Sequence, residues 1–375
     1  MLKTKKLKII ADDKIPFLKG VLDSSASIEY HSGAKISNSI ISDSDAMLLR
    51  TRTKCNATLL HNSNVSFIAT ATIGFDHIDT NYCAKNNITW KNSPGCNSSS
   101  VMQYIASALL YISEKENKPL NKYTVGVVGV GHVGTKVARL ADILGCKVLQ
   151  NDPPRAENEN DFKHTELSDL LKKSDIITFH VPLSRQGNYP TYHIVNDDFF
   201  HLIKKNSWLI NSSRGSVVDG NAVLRQKKLA GIILDVWEGE PKIDKNLLAF
   251  ADIATSHIAG YSVDGKAMGT QMVVRELSKY FDLGFKNWTP QLPSPERGII
   301  DLSNTEKNKV VREAINHTYN IKNDDDILRN NPDGFEQHRG KYGYRWEFQN
   351  YTVIINSAFA DVEIQLKKLG FKVEF

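Results

Sequence analysis

Short apolar runs alternate along the first hundred residues with segments whose apolar positions recur every three or four residues. Residues 7–11 (LKIIA), 27–30 (SIEY), 46–50 (AMLLR), 65–70 (VSFIAT) and 88–90 (ITW) predict strands. Between them, 14–22 (KIPFLKGVL) and 53–61 (TKCNATLLH) have helical spacing. Strand–helix alternation implies a parallel sheet covered on both faces. An amphipathic helix follows over 101–114, and a second α/β series starts at Tyr123. Its predicted strands are 123–129, 146–152, 176–182, 208–213, 232–237 and 252–257, with helices over 131–145 and 167–175. A helix over 265–284 is long enough to pass back to the first series.

After Trp288 the pattern changes. Residues 289–298 (TPQLPSPERG) read as a linker. A helix over 307–319, a polar stretch over 320–334, a strand over 351–357, a helix over 361–369 and a final strand over 371–375 follow, enough for a small α/β domain. The organisation expected is therefore 1–98 with 268–288, then 99–267, then 289–375.

Composition narrows the function classes. Of 375 residues, 41% are hydrophobic and 24% charged, an ordinary globular balance. Lys plus Arg number 47 against 42 Asp plus Glu, a net charge of +5, which gives nucleic-acid binding no support. The longest uncharged stretch, 92–113, is polar in its first half, so no membrane span is expected. The basic start, MLKTKKLKIIADD, lacks the apolar run of a signal peptide. Cys55, Cys83, Cys96 and Cys146 form no CxxC pair, which fits reduced thiols in a cytoplasmic protein better than disulfides or zinc.

The sharpest motif is Gly129-Val130-Gly131-His132-Val133-Gly134, between a strand and a helix. The first glycine allows a tight turn, the second lets backbone approach a pyrophosphate, and the third lets helix and strand pack closely. Asp152 ends the next strand about 20 residues on, where an acid binds an adenosine ribose and repels a 2′-phosphate, favouring NAD over NADP. Arg214, Glu240 and His257 each lie just past a predicted strand, where doubly wound sheets bind ligands. Together they suit hydride removal from a secondary alcohol: His takes the hydroxyl proton, a carboxylate orients it, and Arg grips a substrate carboxylate. Glu238 rivals Glu240 for the carboxylate role. His77 and Asp79 in GFDHID read better as a helix N-cap than as metal ligands, and Asp324, Asp325 and Asp326 read as solvated.

The order GVVGVGHVG, NSSRGSVVD, LDVWEGEP and SHIAGY resembles the D-isomer-specific 2-hydroxyacid dehydrogenase family. The stretches LLRTRTK, ATATIGFDHID, NSPGCNSSSV and HIAGYSVDGKAMGT, with the tail ending in KKLGFKVEF, sharpen the resemblance to a member acting on a phosphorylated 2-hydroxy acid. It implies an α/β fold of two doubly wound parallel-sheet domains, one flavodoxin-like for substrate and one Rossmann domain for NAD, plus a small C-terminal α/β domain that forms a homodimer. It makes Arg214, Glu240 and His257 the catalytic set, selecting Glu240 over Glu238 because the family's acid directly precedes the proline. Substrate contacts would come from Thr51, Thr72 and Tyr261. Cofactor contacts would come from the glycine motif, with His132 acting through its backbone, and from Asp152, Val181, Ser212, Ser213, Asp235 and Gly260. No metal is implied. Thr51 stands where Ser is expected, which keeps the hydroxyl, and Val181 where Thr is common, which loses one.

Two other readings remain open on sequence alone: a related dehydrogenase acting on 3-phosphoglycerate, and a non-enzymatic NAD-sensing protein on the same fold. The basic, aromatic stretch His338 to Trp346 reads as a solvated face; alternatively one of its cations, with Arg345 the test case, reaches the substrate phosphate in competition with Arg50 and Lys266.

Overall fold

The computed structural model describes residues 6–375; the first five, where the basic start of the chain was read, lie outside the described residues. The chain forms two compact units, one of residues up to Asn97 with Val263–Pro293, the other of Ser98–Ser262 with Ser294–Phe375.

The first unit is built on β1 (Leu7–Asp12), β2 (Ala26–His31), β3 (Ala46–Leu49), β4 (Phe67–Thr70) and β5 (Thr89–Lys91). They pair in parallel in the order β2-β1-β3-β4-β5, the flavodoxin-like order. Side chains alternate across each strand, so Ile9 and Ala11 join Leu48, Phe67 and Ala69 under Val273, Val274 and Leu277 of the helix Val263–Phe281. Ile10 joins Met47, Leu49 and Ile68 against Leu59, Leu60 and Cys83 on the other face. With both faces covered, the strands read as nearly unbroken apolar runs.

The helix expected over 14–22 does not form. Phe17 (φ 60°) and Gly20 (φ 83°) take left-handed conformations, and the segment runs as successive turns. Its periodic Ile15, Leu18 and Leu22 are buried all the same, so the spacing recorded burial rather than helix. The helix expected over 53–61 shrinks to Ala57–Leu60, started by the Asn56 side chain accepting from Leu59 N.

The second unit carries β6 (Thr124–Val128), β7 (Lys147–Asn151), β8 (Ile176–Phe179), β9 (Ser207–Asn211), β10 (Leu229–Leu234) and β11 (Ile253–Ala254). All are parallel, ordered β11-β10-β9-β8-β6-β7. The chain steps outward from β6 to β7 and returns on the other side as β8, so the topological switch lies at the carboxyl ends of β6 and β8. A three-stranded parallel sheet of β12 (Ile299–Asp301), β13 (Thr352–Ile354) and β14 (Lys372–Glu374) completes the unit. No helix among the described residues is long and apolar enough to cross a membrane.

The sequence reading sets 289–375 apart, whereas here 294–375 share one compact unit with Ser98–Ser262. Gln103 Nε2, on the helix Ser98–Lys115, donates to Thr318 Oγ1 (3.0 Å) and to the Trp346 carbonyl (2.8 Å). Ser107 Oγ accepts from Ile321 N at 3.0 Å. Leu328 and Phe335 join the core of Phe179, Leu234 and Trp237.

Two expectations about this tail are corrected. The polar stretch 320–334 is mostly the helix Ile321–Asn330, started by the Asn320 side chain accepting from Lys322 N. Its triplet of acids is not wholly solvated. Asp325 is buried, accepts from Ala254 N at 2.7 Å and pairs with Arg329 Nε at 2.9 Å. The Asp324 carboxyl accepts from Tyr319 Oη (2.8 Å) and Tyr342 Oη (2.9 Å), and burial pushes its pKa up in spite of them. Cutting the chain after Trp288 would strip partners from Gln103, Ser107 and Ala254, at about 1–3 kcal/mol per buried group left unsatisfied. The truncated protein is expected to aggregate or lose cooperative unfolding; a soluble truncation with the parent Tm would contradict this packing.

Candidate active site

The glycine loop divides its steric work as the motif requires. Gly129 (φ 82°) turns the chain at the end of β6, where a Cβ would come within 2.7 Å of Val181 Cγ1 and 2.8 Å of the His180 carbonyl. A Cβ on Gly134 would stand 1.9 Å from the Gly129 carbonyl oxygen, so this glycine sets the distance between β6 and the helix His132–Ile143. A Cβ on Gly131 would meet nothing within 4 Å, leaving that side of the backbone open. His132 and Val133 begin the helix, whose first amides suit a pyrophosphate. Asp152, just past β7, ties the loop to the next strand: one carboxylate oxygen accepts from Val130 N (2.7 Å), the other from Arg155 N (3.0 Å).

The acid–base groups come from two loops of the same sheet. His257 Nδ1 lies 2.6 Å from Glu240 Oε1. Burial alone would raise the Glu240 carboxyl; the hydrogen bond and charge of His257, helped by the Arg339 charge, more than offset it and hold the group below the usual carboxylate value. Glu238 points elsewhere, both its oxygens 3.1 Å from His193 Nε2. His257 itself has a left-handed backbone (φ 55°), which a tight set of hydrogen bonds supports. Its N–H donates to the Asp235 carbonyl at 2.7 Å. The Asp235 carboxylate accepts from Thr255 Oγ1 (2.6 Å), Ile258 N (2.8 Å) and Ala259 N (2.9 Å). With about four acceptor positions, the carboxylate retains room for one further donor.

Sequence reasoning passed over three residues that shape this loop. Thr255 is buried; its hydroxyl lies 2.9 Å from Tyr104 Oη and its carbonyl accepts from Trp237 Nε1, also at 2.9 Å. Tyr104 falls within the amphipathic helix expected over 101–114, and Trp237 ends the strand expected over 232–237. Nothing in the local pattern marks Thr255 or Tyr104, because each matters through a partner far along the chain.

Arg214 follows β9 in a turn fixed by Asn211, which accepts from Ser213 N (3.1 Å) and Oγ (2.8 Å) and donates to the Arg214 carbonyl (2.9 Å). The next residue must be glycine, since a Cβ on Gly215 would stand 2.0 Å from the Trp237 carbonyl carbon. Ser212 Oγ is buried without a hydrogen-bond partner among the described residues. Gly260 and Tyr261 end the His257 loop, with Tyr261 N donating to the Ile258 carbonyl at 2.8 Å. An open glycine, an orphaned hydroxyl and a carboxylate after β7 all fit a dinucleotide across the switch point, and NAD is the cofactor this set accommodates.

Asp152→Ala is expected to weaken NAD and to narrow the preference for NAD over NADP, because it removes the carboxylate expected to accept from the ribose together with the anchor of Val130. Titration of each nucleotide checks this; equal use of both by the parent protein would remove Asp152 from that role.

In the first unit, Thr51 is exposed in a turn after β3. Thr72 lies just past β4, its hydroxyl 2.8 Å from Thr70 Oγ1 and donating to the Gly74 carbonyl at 2.9 Å. Asp79 caps the helix Thr80–Lys85 by accepting from Tyr82 N, while burial pushes His77 down to about 4. Arg345, weighed above as a phosphate ligand, is buried in the second unit. It donates to the Ala259 carbonyl and, at 3.3 Å, to the Ser100 carbonyl, and lies 4.5 Å from the Tyr319 ring centre. Trp346 is buried as well, whereas Lys341 and Tyr344 stay exposed, so 338–346 is a solvated face only in part.

Residues 110–259 match the model of the D-isomer specific 2-hydroxyacid dehydrogenase NAD binding domain, and 291–370 match a domain of unknown function, DUF3410. A solved D-lactate dehydrogenase from Aquifex aeolicus, complexed with NAD and lactic acid, is 26% identical with a TM-score of 0.62, covering 76% of this chain and 100% of that one. Erythronate-4-phosphate dehydrogenase of Bacteroides fragilis is 44% identical over 93% of this chain and 99% of its own length. The Escherichia coli K12 enzyme of that name is 35% identical over 97% of this chain and 98% of its own. With a GxGxxG loop at the switch point and a His257–Glu240 pair past β10 and β11, the chain belongs to the erythronate-4-phosphate dehydrogenase family of the D-isomer-specific 2-hydroxyacid dehydrogenases.

Proposed function

We propose that the protein oxidises 4-phospho-D-erythronate at C2, giving (R)-3-hydroxy-2-oxo-4-phosphooxybutanoate, a step toward pyridoxal 5′-phosphate. The observation that carries this reading is the 2.6 Å contact between His257 Nδ1 and Glu240. That contact leaves Nε2 as the ring atom for the C2 hydroxyl proton. Bound NAD supplies the hydride acceptor. As the C2 hydrogen leaves as hydride, His257 takes the hydroxyl proton and Glu240 stabilises the imidazolium that forms. Arg214 holds the substrate carboxylate and polarises the C2 oxygen. Thr51, Thr72 and Tyr261 serve as substrate contacts, and Ser212, Ser213, Val181 and Gly260 line the cofactor.

The same reading makes the protein a cytoplasmic homodimer. Four buried cysteines support a reducing compartment, and the dimer is checked by sedimentation across a concentration series. The decisive experiment is a panel of 4-phospho-D-erythronate, 3-phosphoglycerate and D-lactate with NAD, read by reduced-nicotinamide absorbance. Preference for 3-phosphoglycerate, or no turnover with nucleotide-dependent protein binding instead, would replace this reading with one of its rivals.

A further inference from the structure

The loop that carries His257 is gripped from behind by one short stretch of the C-terminal segment. Ser256 Oγ lies 3.4 Å from His338 Nδ1. The Ala259 carbonyl accepts from Arg345. Tyr261 meets Tyr342 edge to face, ring centroids 5.7 Å apart, and the Arg339 guanidinium carbon stands 5.7 Å from the Tyr261 ring centre. Contacts to 256, 259 and 261 thus straddle the catalytic histidine, and all come from residues 338–345.

Arg339 stands out within this grip. Its side chain is 16% exposed, its Nη1 donates to Glu336 Oε1 at 2.8 Å, and its Nε has no hydrogen-bond partner among the described residues. It is also close enough to Glu240 for its charge to favour the ionised carboxylate. Burying a guanidinium with one hydrogen-bonded acid and an unmatched N–H is costly. A cation held there acts on the Tyr261 ring it stands over and, through its charge, on the ionised form of Glu240.

Resting on the reading of Glu240 and His257 as the catalytic pair, we propose that Arg339 is a positioning residue of the active site: anchored by Glu336, it fixes Tyr261 and the Glu240 carboxylate so that His257 stays aligned for proton transfer. The domain of unknown function is then part of the catalytic apparatus through its hold on this loop, apart from any role in assembly. Arg339 acts through other residues rather than on the substrate, so its loss should appear in kcat.

The test is steady-state kinetics of Arg339→Ala and Arg339→Lys in the full-length protein, with 4-phospho-D-erythronate and NAD, alongside thermal unfolding. Arg339→Ala should lower kcat about tenfold or more, as small misplacements of reacting groups do, with the KM for substrate within about twofold and NAD affinity unchanged. Arg339→Lys, which keeps the charge, should recover much of the loss. A lowered Tm with parent kcat would make Arg339 merely structural and overturn the proposal. A raised KM for the phosphorylated acid at parent kcat would make it a phosphate ligand and overturn it equally. Should Arg339→Ala fail to fold, Glu336→Met removes the acceptor that anchors Arg339 at a similar side-chain volume; it should lower kcat in the same direction, and an unchanged kcat there overturns the proposal. Failure of the parent protein to oxidise 4-phospho-D-erythronate refutes the substrate assignment alone, and the variants are then compared on whichever 2-hydroxy acid the panel selects.

Discussion

Replacing His257 with alanine is expected to lower turnover by about 10²–10⁴-fold while leaving NAD affinity nearly intact. The expected loss is that of a general base, the role proposed for the imidazole whose Nδ1 lies 2.6 Å from Glu240. The nucleotide site should survive, because the glycine loop, Asp152 and the Asn211 turn make their contacts without the imidazole. The Asp235 carboxylate holds Ile258 and Ala259 by their backbone amides, so the loop keeps its course when the side chain is cut back. Turnover and nucleotide fluorescence titration on the same preparation check the two halves. Near-parent turnover would remove His257 from the mechanism, and a matching loss of NAD affinity would show that the substitution disturbed the loop instead.

The second large effect separates two glycines of one motif. In Gly134→Ala the new methyl collides at 1.9 Å with the Gly129 carbonyl oxygen, backbone against backbone, so the helix His132–Ile143 must move off β6. Overpacking of that kind costs about 1–3 kcal/mol or more, and Tm should fall by several degrees together with NAD affinity. In Gly131→Ala the methyl meets nothing of the protein within 4 Å. Its Tm should stay at the parent value while NAD affinity falls about tenfold or more, because the methyl occupies the approach of the pyrophosphate. Calorimetry and nucleotide titration on both variants decide it. Equal Tm losses, or an unaffected affinity in Gly131→Ala, would remove the division of labour assigned to the loop.

What the chain reveals before folding follows from where its information lies. The strands of both large sheets are legible because a strand buried on two faces must be nearly all apolar, as residues 46–49 are throughout and 176–179 are but for Thr178. The ends of those strands, and hence the neighbourhoods of Gly129, Arg214, Glu240 and His257, come with them. The helix Ile321–Asn330 is not legible, because its buried face includes Asp325, whose burial is made tolerable by an amide of Ala254 and by Arg329. Arg345 misleads for the same reason: its charge is housed by carbonyls of Ser100 and Ala259 that no local pattern connects to it. Between Glu238 and Glu240 the residue pattern was neutral; the structure gives each its own histidine, His193 and His257. Polar residues that depend on distant partners are thus where sequence reading stops, and they make up most of the support around His257.

The split composition of the first unit bears on how the chain is made. On a ribosome, the sheet β1–β5 emerges with one face bare: Ile9, Leu48, Phe67 and Ala69 await Val273, Val274 and Leu277, which arrive only after the whole nucleotide unit from Ser98 to Ser262 has been synthesised. At about 5–20 residues per second that delay is roughly 10–40 s, long on the scale of hydrophobic collapse. The nascent amino-terminal sheet is therefore the natural client of a chaperone that shields apolar surface during translation. A stalled chain ending before Val263 should be captured by such a factor, and one extended past Phe281 should be released.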